Sequence, residues 1–250
     1  MTNEPKSTDF RQVVLSLYDF TGEALRPWAE AGYECHAFDI QHDDTQVDTF
    51  ASGGSITYSH TDLHEASTFL KLVDQFSGRN VAFGMAFPVC TDMAVSGAAW
   101  FKSKAERDPE FQTKAVNYAM MCDIFYNTLG VPFFIENPVS VLATQWRKPD
   151  HRFDPFEYGG YIPKAEAVHP RWPDYIAPFD AYPKRTCLWT GGGFKMPERK
   201  PVERSDGYSD QHKKLGGKSQ RTKDIRSATP RGFAAAVHLA NSGLPDVPQT

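Results

Sequence analysis

The chain has 250 residues, 40% of them hydrophobic, which is enough for one large core and too short for two independent domains with linkers. It has no run of about 18 apolar residues that could span a membrane, and residues 1–10 lack the basic and apolar pattern of a signal peptide. We therefore expect a cytoplasmic protein without membrane contact. The net charge of -4 argues at first sight against a nucleic-acid partner.

That charge is unevenly distributed along the chain. Residues 184–231 contain 13 Lys or Arg and 5 Asp or Glu, a local balance of +8, and the rest of the chain carries -12. A basic segment on an acidic body is typical of a surface that contacts phosphates. A solvated charged loop without a partner is an equally good interpretation of the same residues.

The cysteines indicate free thiols rather than a metal site or disulfides. They are far apart and form no C-x-x-C pair of the kind that binds structural zinc. The four are Cys35, Cys90, Cys122 and Cys187. The pattern suits a reducing compartment and predicts no metal.

The amino-terminal residues predict a strand–helix–strand unit. Its parts are a buried strand over 13–18, a turn at Thr21 and Gly22, a helix over 23–31 ended by Gly32, and a strand over 34–40. Asp39 lies near the end of the second strand, about 20 residues after the first. An acid in that position is typical of the nucleoside-binding half of a doubly wound sheet.

Two further strands are predicted over 81–87 and 132–135, and a long amphipathic helix over 109–129 lies between them. Each strand leads directly into a polar segment. In an open parallel sheet the carboxyl ends of the strands meet at one edge, where ligands bind. The sequence therefore predicts an α/β fold with a doubly wound, mostly parallel sheet.

The character of the chain changes after Pro138. Residues 147–183 are rich in proline and aromatic residues, which predicts an ordered loop excursion packed by its own rings. A short strand over 185–190, a basic stretch over 195–226, and a helix over 230–242 capped by Thr229 follow. We predict a core over 1–146, an appendage over 147–228 that contacts substrate, and a closing helix and tail over 229–250.

Two residues at predicted strand ends carry the chemistry. Cys90 follows a strand and a proline turn, where a nucleophile or a small buried hydrophobic residue is equally plausible. Glu136 ends an apolar strand, where an unpaired buried carboxylate is costly, so it needs a partner or a function. The structural alternative is that Glu136 or Asn137 caps the following turn.

In their order along the chain, these segments resemble the motifs of the DNA cytosine-5 methyltransferase family, and in detail a compact branch common in bacteriophage genomes. The resembling segments are residues 15–22 for the cofactor motif, Asp39 for the ribose-binding acid, Asp62 and Leu63 for the adenine contact, Phe87-Pro88-Val89-Cys90 for the nucleophile loop, Glu136-Asn137-Pro138 for the glutamate motif, Lys184-Arg185-Thr186 for the arginine-bearing strand, and residues 226–236 for the closing motif. The resemblance covers most of the chain, and its cysteine and glutamate motifs are individually specific.

The sequence departs from the family pattern at four positions. Val89 stands where the family has a proline before the nucleophile, and Pro138 where it has a valine. Phe20 replaces the first glycine of the cofactor motif, and Cys187 stands where a second arginine is expected. The nucleophile and its acid are both present.

The resemblance implies a methyltransferase fold of the Rossmann-like type that uses S-adenosylmethionine. Its implied catalytic residues are Cys90, Glu136 and Arg185. The implied cofactor-binding residues are Tyr18, Phe20, Gly22, Asp39, Asp62, Leu63, Phe87 and Pro88, and the implied substrate-binding residues are Asn137, Lys184 and Arg226. Arg185 is expected to orient the base or offset its charge.

The implied substrate is cytosine in DNA, either flipped out of a duplex or in a single strand, because C6 is inaccessible inside the stack. The short basic segment predicts little dependence on the neighbouring sequence. Two alternatives remain open: a C5 methyltransferase that acts on RNA or on a free pyrimidine nucleotide, and a catalytically silent DNA-binding protein that keeps the fold. The sequence does not indicate an oligomeric state.

Overall fold

The computed structural model describes residues 11–43, 45–204, 210–216 and 219–243, and within them eight strands form one sheet. The strands are β1 (Val13–Leu17), β2 (Glu34–Asp39), β3 (Gln46–Thr49), β4 (Ser55–His60), β5 (Val81–Ala86), β6 (Phe133–Pro138), β7 (His151–Phe153) and β8 (Thr186–Gly191). Their order across the sheet is β3-β4-β2-β1-β5-β6-β8-β7. The five strands from β4 to β6 are parallel, and β3, β8 and β7 pair antiparallel.

Helices cover both faces of this sheet. They are α1 (Arg26–Glu30), α2 (Ala66–Phe76), α3 (Phe101–Arg107), α4 (Phe111–Leu129), α5 (Leu142–Gln145), α6 (Asp210–Lys214), α7 (Gln220–Ser227) and α8 (Arg231–Asn241). Helices α2 and α4 pack together on one face, and α1 and α8 on the other. The predicted α/β class is confirmed, and the sheet is mixed because strands at both margins pair antiparallel.

Strand β1 explains how a short apolar sequence supports two cores. All five of its residues are buried. Val13, Leu15 and Leu17 join the core under α2 and α4, and Val14 joins the core under α1 and α8. Successive side chains of a strand point to opposite faces, so an uninterrupted apolar run is what a strand covered on both sides requires.

The sheet has its topological switch between β1 and β5. The chain builds outward from β1 through β2 to β4, and then from β5 to β6 in the opposite direction. Ligands of open α/β sheets bind at such a switch, beside the carboxyl ends of the strands. The loops after β1, β2, β5 and β6 all leave from this edge, and they contain most of the predicted site residues.

The segment after β6 both completes the sheet and builds a second small cluster. Strands β7 and β8 extend the sheet beside β6. Farther out, Ile176, Tyr182, Leu215 and Ile225 form a separate buried group, called the outer cluster below. The predicted division of the chain at residues 146 and 228 stays a prediction. Strands β7 and β8, which lie between these positions, belong to the core sheet.

The capping residue predicted for the closing helix was wrong. Helix α8 begins at Arg231 with Pro230 at its N-cap, so Thr229 lies one residue too early. The cap is instead supplied by Asp180, whose Oδ2 accepts the backbone N–H of Arg231 at 2.6 Å and of Gly232 at 3.4 Å. A cap from 51 residues away leaves no local sequence signal.

Other predicted bounds also changed. The helix predicted over 23–31 spans only Arg26–Glu30, because residues 22–25 form a turn; Gly32, at φ +97°, follows it as predicted. The basic stretch over 195–226 contains α6 and α7. The predicted tail over 244–250 lies outside the described residues. None of the described helices is both long and apolar enough to cross a membrane.

Candidate active site

Cys90 lies on a loop that is fixed by backbone hydrogen bonds from two sides. Its carbonyl oxygen accepts the N–H groups of Met93 at 3.0 Å and Ala94 at 2.8 Å. Two residues earlier, the carbonyl of Pro88 accepts a hydrogen bond of 2.9 Å from Nδ2 of Asn137, which lies on β6. The neighbouring strand therefore holds the loop in place, and the thiol sits on a preorganised turn.

The Cys90 thiol is half-buried, and its surroundings disfavour ionisation. Burial raises the pKa of this thiol, the nearby carboxylate of Glu136 raises it further, and the ammonium of Lys184 opposes both effects. Cys90 is thus protonated at neutral pH in the free protein. The other three cysteines, Cys35, Cys122 and Cys187, are buried, so Cys90 is the accessible thiol.

Glu136 lies on the same sheet edge and faces a small cleft. Its strand neighbour Ile135 points into the core under α2 and α4, so Glu136 projects to the opposite side. Burial raises the pKa of the Glu136 carboxyl, and Lys184 again opposes the shift. A carboxyl with a raised pKa keeps its proton nearer neutral pH, which suits a proton donor.

The cleft is narrow, with about 10 Å³ of room for a water-sized molecule. Its lining consists of Phe87, Glu136, Phe153, Lys184, Thr186, Phe233 and residues 227–230. The segment just before α8 therefore forms one wall, which the sequence did not indicate.

Lys184 and Arg185, adjacent in sequence, have different surroundings. Lys184 lines the cleft, its backbone N–H donates to Oδ1 of Asp154 at 2.9 Å, and its Nζ donates to the carbonyl of Arg226 at 2.7 Å. The Arg185 guanidinium is 58% exposed and pairs with Oδ2 of Asp154 at 3.2 Å. The role predicted for Arg185 stays a prediction, and the cation at the cleft is Lys184.

The loop after β1 is tightly organised around a buried carboxylate. Asp19 accepts the hydroxyl of Ser16 at 2.7 Å and the backbone N–H of Gly22 at 2.8 Å. Gly22 has φ +67°, and a Cβ there would collide with the ring of Tyr58. A glycine is required at this position for both reasons.

Tyr18 connects this loop to the segment after β4. It has φ +57°, an uncommon conformation for a bulky residue, and its hydroxyl donates to the carbonyl of Leu63 at 2.7 Å. Phe20 stacks on His42 with ring centroids 5.7 Å apart. The predicted cofactor residues Tyr18, Phe20 and Leu63 thus belong to one connected group.

The two predicted acidic residues of this group differ in exposure. Asp39 is buried at the end of β2, and its Oδ1 accepts the backbone N–H of Gln41 at 2.8 Å. The Asp62 side chain is 46% exposed and accepts the backbone N–H of His64 at 2.9 Å, which lowers the pKa of Asp62. Both acids lie at the edge of the sheet where the parallel strands end.

A contact that the sequence did not predict reaches this edge from α7. Nε2 of Gln220 donates to the side-chain oxygen of Gln41, whose own Nε2 donates to Oδ1 of Asp39 at 3.2 Å. The basic segment therefore extends over the end of β2.

In the part of the chain that the structure describes, no group of three or more His, Cys, Asp or Glu side chains is placed to hold a metal ion.

No family model matches this sequence, and no curated protein matches it. Among solved structures, the chain is similar to one from E. coli that is described as a DNA modification methyltransferase encoded within a prophage. The TM-score is 0.41 at 11% sequence identity, and the alignment covers 72% of this chain. The chain spans 46% of that structure's length, and a likeness this low does not indicate a function.

Proposed function

We propose that this protein transfers a methyl group from S-adenosylmethionine to C5 of cytosine in DNA, through a covalent bond between Cys90 and C6 of the base. The observation that carries the proposal is the placement of a thiol, on the loop after β5, and a carboxyl, on β6, both half-buried and close enough for their charges to interact, beside the topological switch.

The thiol is needed because C5 of cytosine is too electron-poor to attack a methyl donor directly. Once the Cys90 thiol has lost its proton to solvent, addition of the thiolate to C6 forms an S–C6 bond and moves the π electrons of the C5–C6 double bond toward C5 and N3. After C5 gains the methyl group, a base removes the C5 proton. The S–C6 bond then breaks, which restores the double bond and frees the thiolate.

Glu136 is assigned the proton at N3. Negative charge develops on the ring as the S–C6 bond forms, and donation of a proton or a strong hydrogen bond to N3 relieves it. Burial raises the pKa of Glu136, which favours the protonated carboxyl that this step needs. Asn137, next along β6, holds the Cys90 loop through Pro88, which fixes the two reacting groups relative to each other.

The residues at the switch fit a nucleoside cofactor. A carboxylate at the end of β2, here Asp39, is the usual partner of ribose hydroxyls in this architecture. Ile40 follows it with 44% of its surface exposed, which offers an apolar contact to a base. Gly22 and Tyr18 shape the loop beside it, and Asp62 offers an exposed acceptor. When bound, the cofactor supplies the electrophilic methyl group.

The substrate is proposed to be a polymer. Arg185 and Arg226 are exposed beside the cleft, and Arg221 and Lys223 are exposed on α7. Cations of this kind bind phosphates without reading bases. Reading several base pairs needs several side chains held rigidly against base edges, so we expect little sequence context around the modified cytosine.

The decisive experiment measures transfer of labelled methyl groups to DNA, to RNA of the same sequence, and to free cytidine nucleotides. We expect incorporation into DNA, and a covalent protein–DNA adduct with DNA that contains 5-fluorocytosine, because fluorine does not leave as a proton does. Incorporation into RNA or nucleotide alone would change the substrate. Salt-dependent DNA binding without any transfer would indicate the silent DNA-binding protein.

A further inference from the structure

The first residue of α7 reaches the carboxylate that is proposed to bind the cofactor through a chain of hydrogen bonds. Oδ1 of Asp39 accepts both the backbone N–H of Gln41 at 2.8 Å and its side-chain Nε2 at 3.2 Å. The side-chain oxygen of Gln41 in turn accepts a hydrogen bond from Nε2 of Gln220, where α7 begins. Since both bonds to Asp39 fall on one oxygen, Oδ2 is the oxygen that can accept a ribose hydroxyl.

The amide of Gln220 is itself held in one orientation. Its Nε2 carries two hydrogens, and besides Gln41 it donates to Oδ1 of Asp224, one helical turn later, at 2.8 Å. Ser219 caps the same turn, because its Oγ accepts the backbone N–H of Thr222 at 3.2 Å. Turning the amide over would place an oxygen against the oxygens of both partners, so Gln220 meets Gln41 as a donor.

The rest of the appendage fixes where α7 lies. Ile225 of α7 is fully buried in the outer cluster, against which Trp172 packs. The neighbouring Arg171 stacks on Trp172, with its Cζ 4.8 Å from the ring centroid, and pairs at 3.2 Å with Glu23, a buried acid on the loop after β1. The outer cluster is therefore attached to the loops after β1 and β2 by two separate contacts.

The same helix carries cations that are proposed to hold DNA. Arg221 and Lys223 are exposed on α7, close to Gln220 in sequence. A contact that orders α7 against the end of β2 serves both ligands, because DNA then meets cations in a fixed position and the cofactor meets an oriented carboxylate. The first ligand to bind bears the entropic cost of that ordering, so the second binds more tightly.

We propose that Gln41 and Gln220 are positioning residues that couple the cofactor site to DNA binding on α7, so that each ligand raises the affinity for the other. The contacts run from α7 through the two glutamines to Asp39, and neither glutamine is assigned a reacting atom. The coupling rests on the proposed function for the identity of its two ligands, whereas the positioning of Gln41 can be tested without them.

The test measures the affinity of the full-length protein for S-adenosylhomocysteine by calorimetry, with and without a saturating short DNA duplex. The variants are Gln41→Ala, Gln220→Ala and the double variant, and thermal unfolding shows whether each is folded. Gln145→Ala is the matched control. Gln145 donates to the side-chain oxygen of another glutamine, Gln112, at 3.0 Å, and joins α5 to α4 instead of α7 to β2.

We expect DNA to raise the affinity of the wild type and of Gln145→Ala for S-adenosylhomocysteine by about fivefold, at the lower end of ordinary coupling between sites. That factor should fall below about twofold in Gln41→Ala and in Gln220→Ala. The double variant should lose no more coupling than Gln41→Ala alone, because residues that act through one contact are not additive. Gln220→Ala changes no charge, so a weaker attraction of α7 for phosphates does not explain its effect.

Hydrogen exchange of the peptide around Gln41 supplies a readout without ligands. The Gln41 amide is bonded to Asp39, and Gln220→Ala should speed its exchange severalfold relative to the wild type and to Gln145→Ala. Absence of coupling in the wild type, or an equal coupling factor in Gln220→Ala, would overturn the proposal. Failure of S-adenosylhomocysteine or DNA to bind the wild type would refute the proposed function, and exchange at Gln41 would still confirm or refute its positioning by Gln220.

Discussion

The edge of the sheet where the parallel strands end rests on much larger hydrophobic cores than the outer cluster does. The edge is anchored by two large cores, and Phe83, Phe133, Phe134 and Trp28 beneath it are fully buried. The outer cluster has four buried side chains and joins the aromatic segment to α6 and α7. Groups that must react need positions fixed by a rigid scaffold, whereas a surface that holds a polymer tolerates more movement. Under the proposed function, the molecule separates these two needs in space.

The sharpest test of this separation is Cys90→Ala. Because the thiol forms the proposed covalent bond and most of the predicted cofactor residues lie on other loops, methyl transfer should fall below detection while cofactor and DNA binding stay within about twofold. Isotope incorporation and equilibrium binding measure the two effects. Cys122→Ala, at a buried thiol in α4, is the control. Appreciable turnover in Cys90→Ala would exclude the covalent route.

Glu136→Gln should have the next largest effect, on turnover. Loss of a proton donor costs ~100-fold or more, so turnover should fall by about that factor with little change in DNA affinity. Single-turnover rates on one DNA substrate measure it, and Glu166→Gln, an exposed acid of the appendage, should be neutral. If Glu136→Gln is much less stable but keeps its activity under conditions where it is folded, the carboxylate caps the turn and takes no part in the reaction.

A pair of core truncations compares the two regions directly. Phe83→Ala removes a fully buried ring beneath the sheet and should cost ~3 to 5 kcal/mol of global stability. Ile225→Ala in the outer cluster should cost less globally and instead weaken DNA binding severalfold, because it loosens α7. Chemical denaturation and DNA titration measure these effects. Equal global destabilisation by both substitutions would show that the regions unfold as one unit.

The smallest effect is a loss of stability in acid. Burial lowers the pKa of His169 to about 4, with help from Arg231 and Arg171, and burial lowers the pKa of His238 to about 4. Each histidine is neutral when folded, so its contribution is present above pH ~6.5 and is lost as the pH falls toward 4.

We therefore expect the melting temperature to fall between pH 6.5 and pH 4, and His169→Gln to reduce that fall. The raised pKa values of Glu136 and Asp180 act in the opposite direction, because folding favours their protonated forms. Calorimetry at pH 7 and pH 4.5 measures the balance. An identical fall in wild type and His169→Gln would remove His169 from the explanation.

By itself, the sequence determined the elements whose signal is local. The apolar runs of β1, β2, β5 and β6 and the long α4 were predicted within a few residues, because strands buried on both faces and long helices follow from side-chain periodicity. The strand ends also indicated Cys90 and Glu136 as neighbours on one edge. Strands β3, β4 and β7 were missed, since β3 and β7 are short and the six-residue β4 is only partly buried.

Tertiary structure decided everything that depends on distant parts of the chain. The capping of α8 by Asp180 joins residues 51 positions apart, and the contact of Gln220 with Gln41 joins residues 179 apart. The choice of Lys184 over Arg185 at the cleft depends on Asp154, 30 residues away from Lys184 in sequence. The sequence alone does not show which of two neighbouring cations faces a site, because the position of their partners in the folded protein determines it.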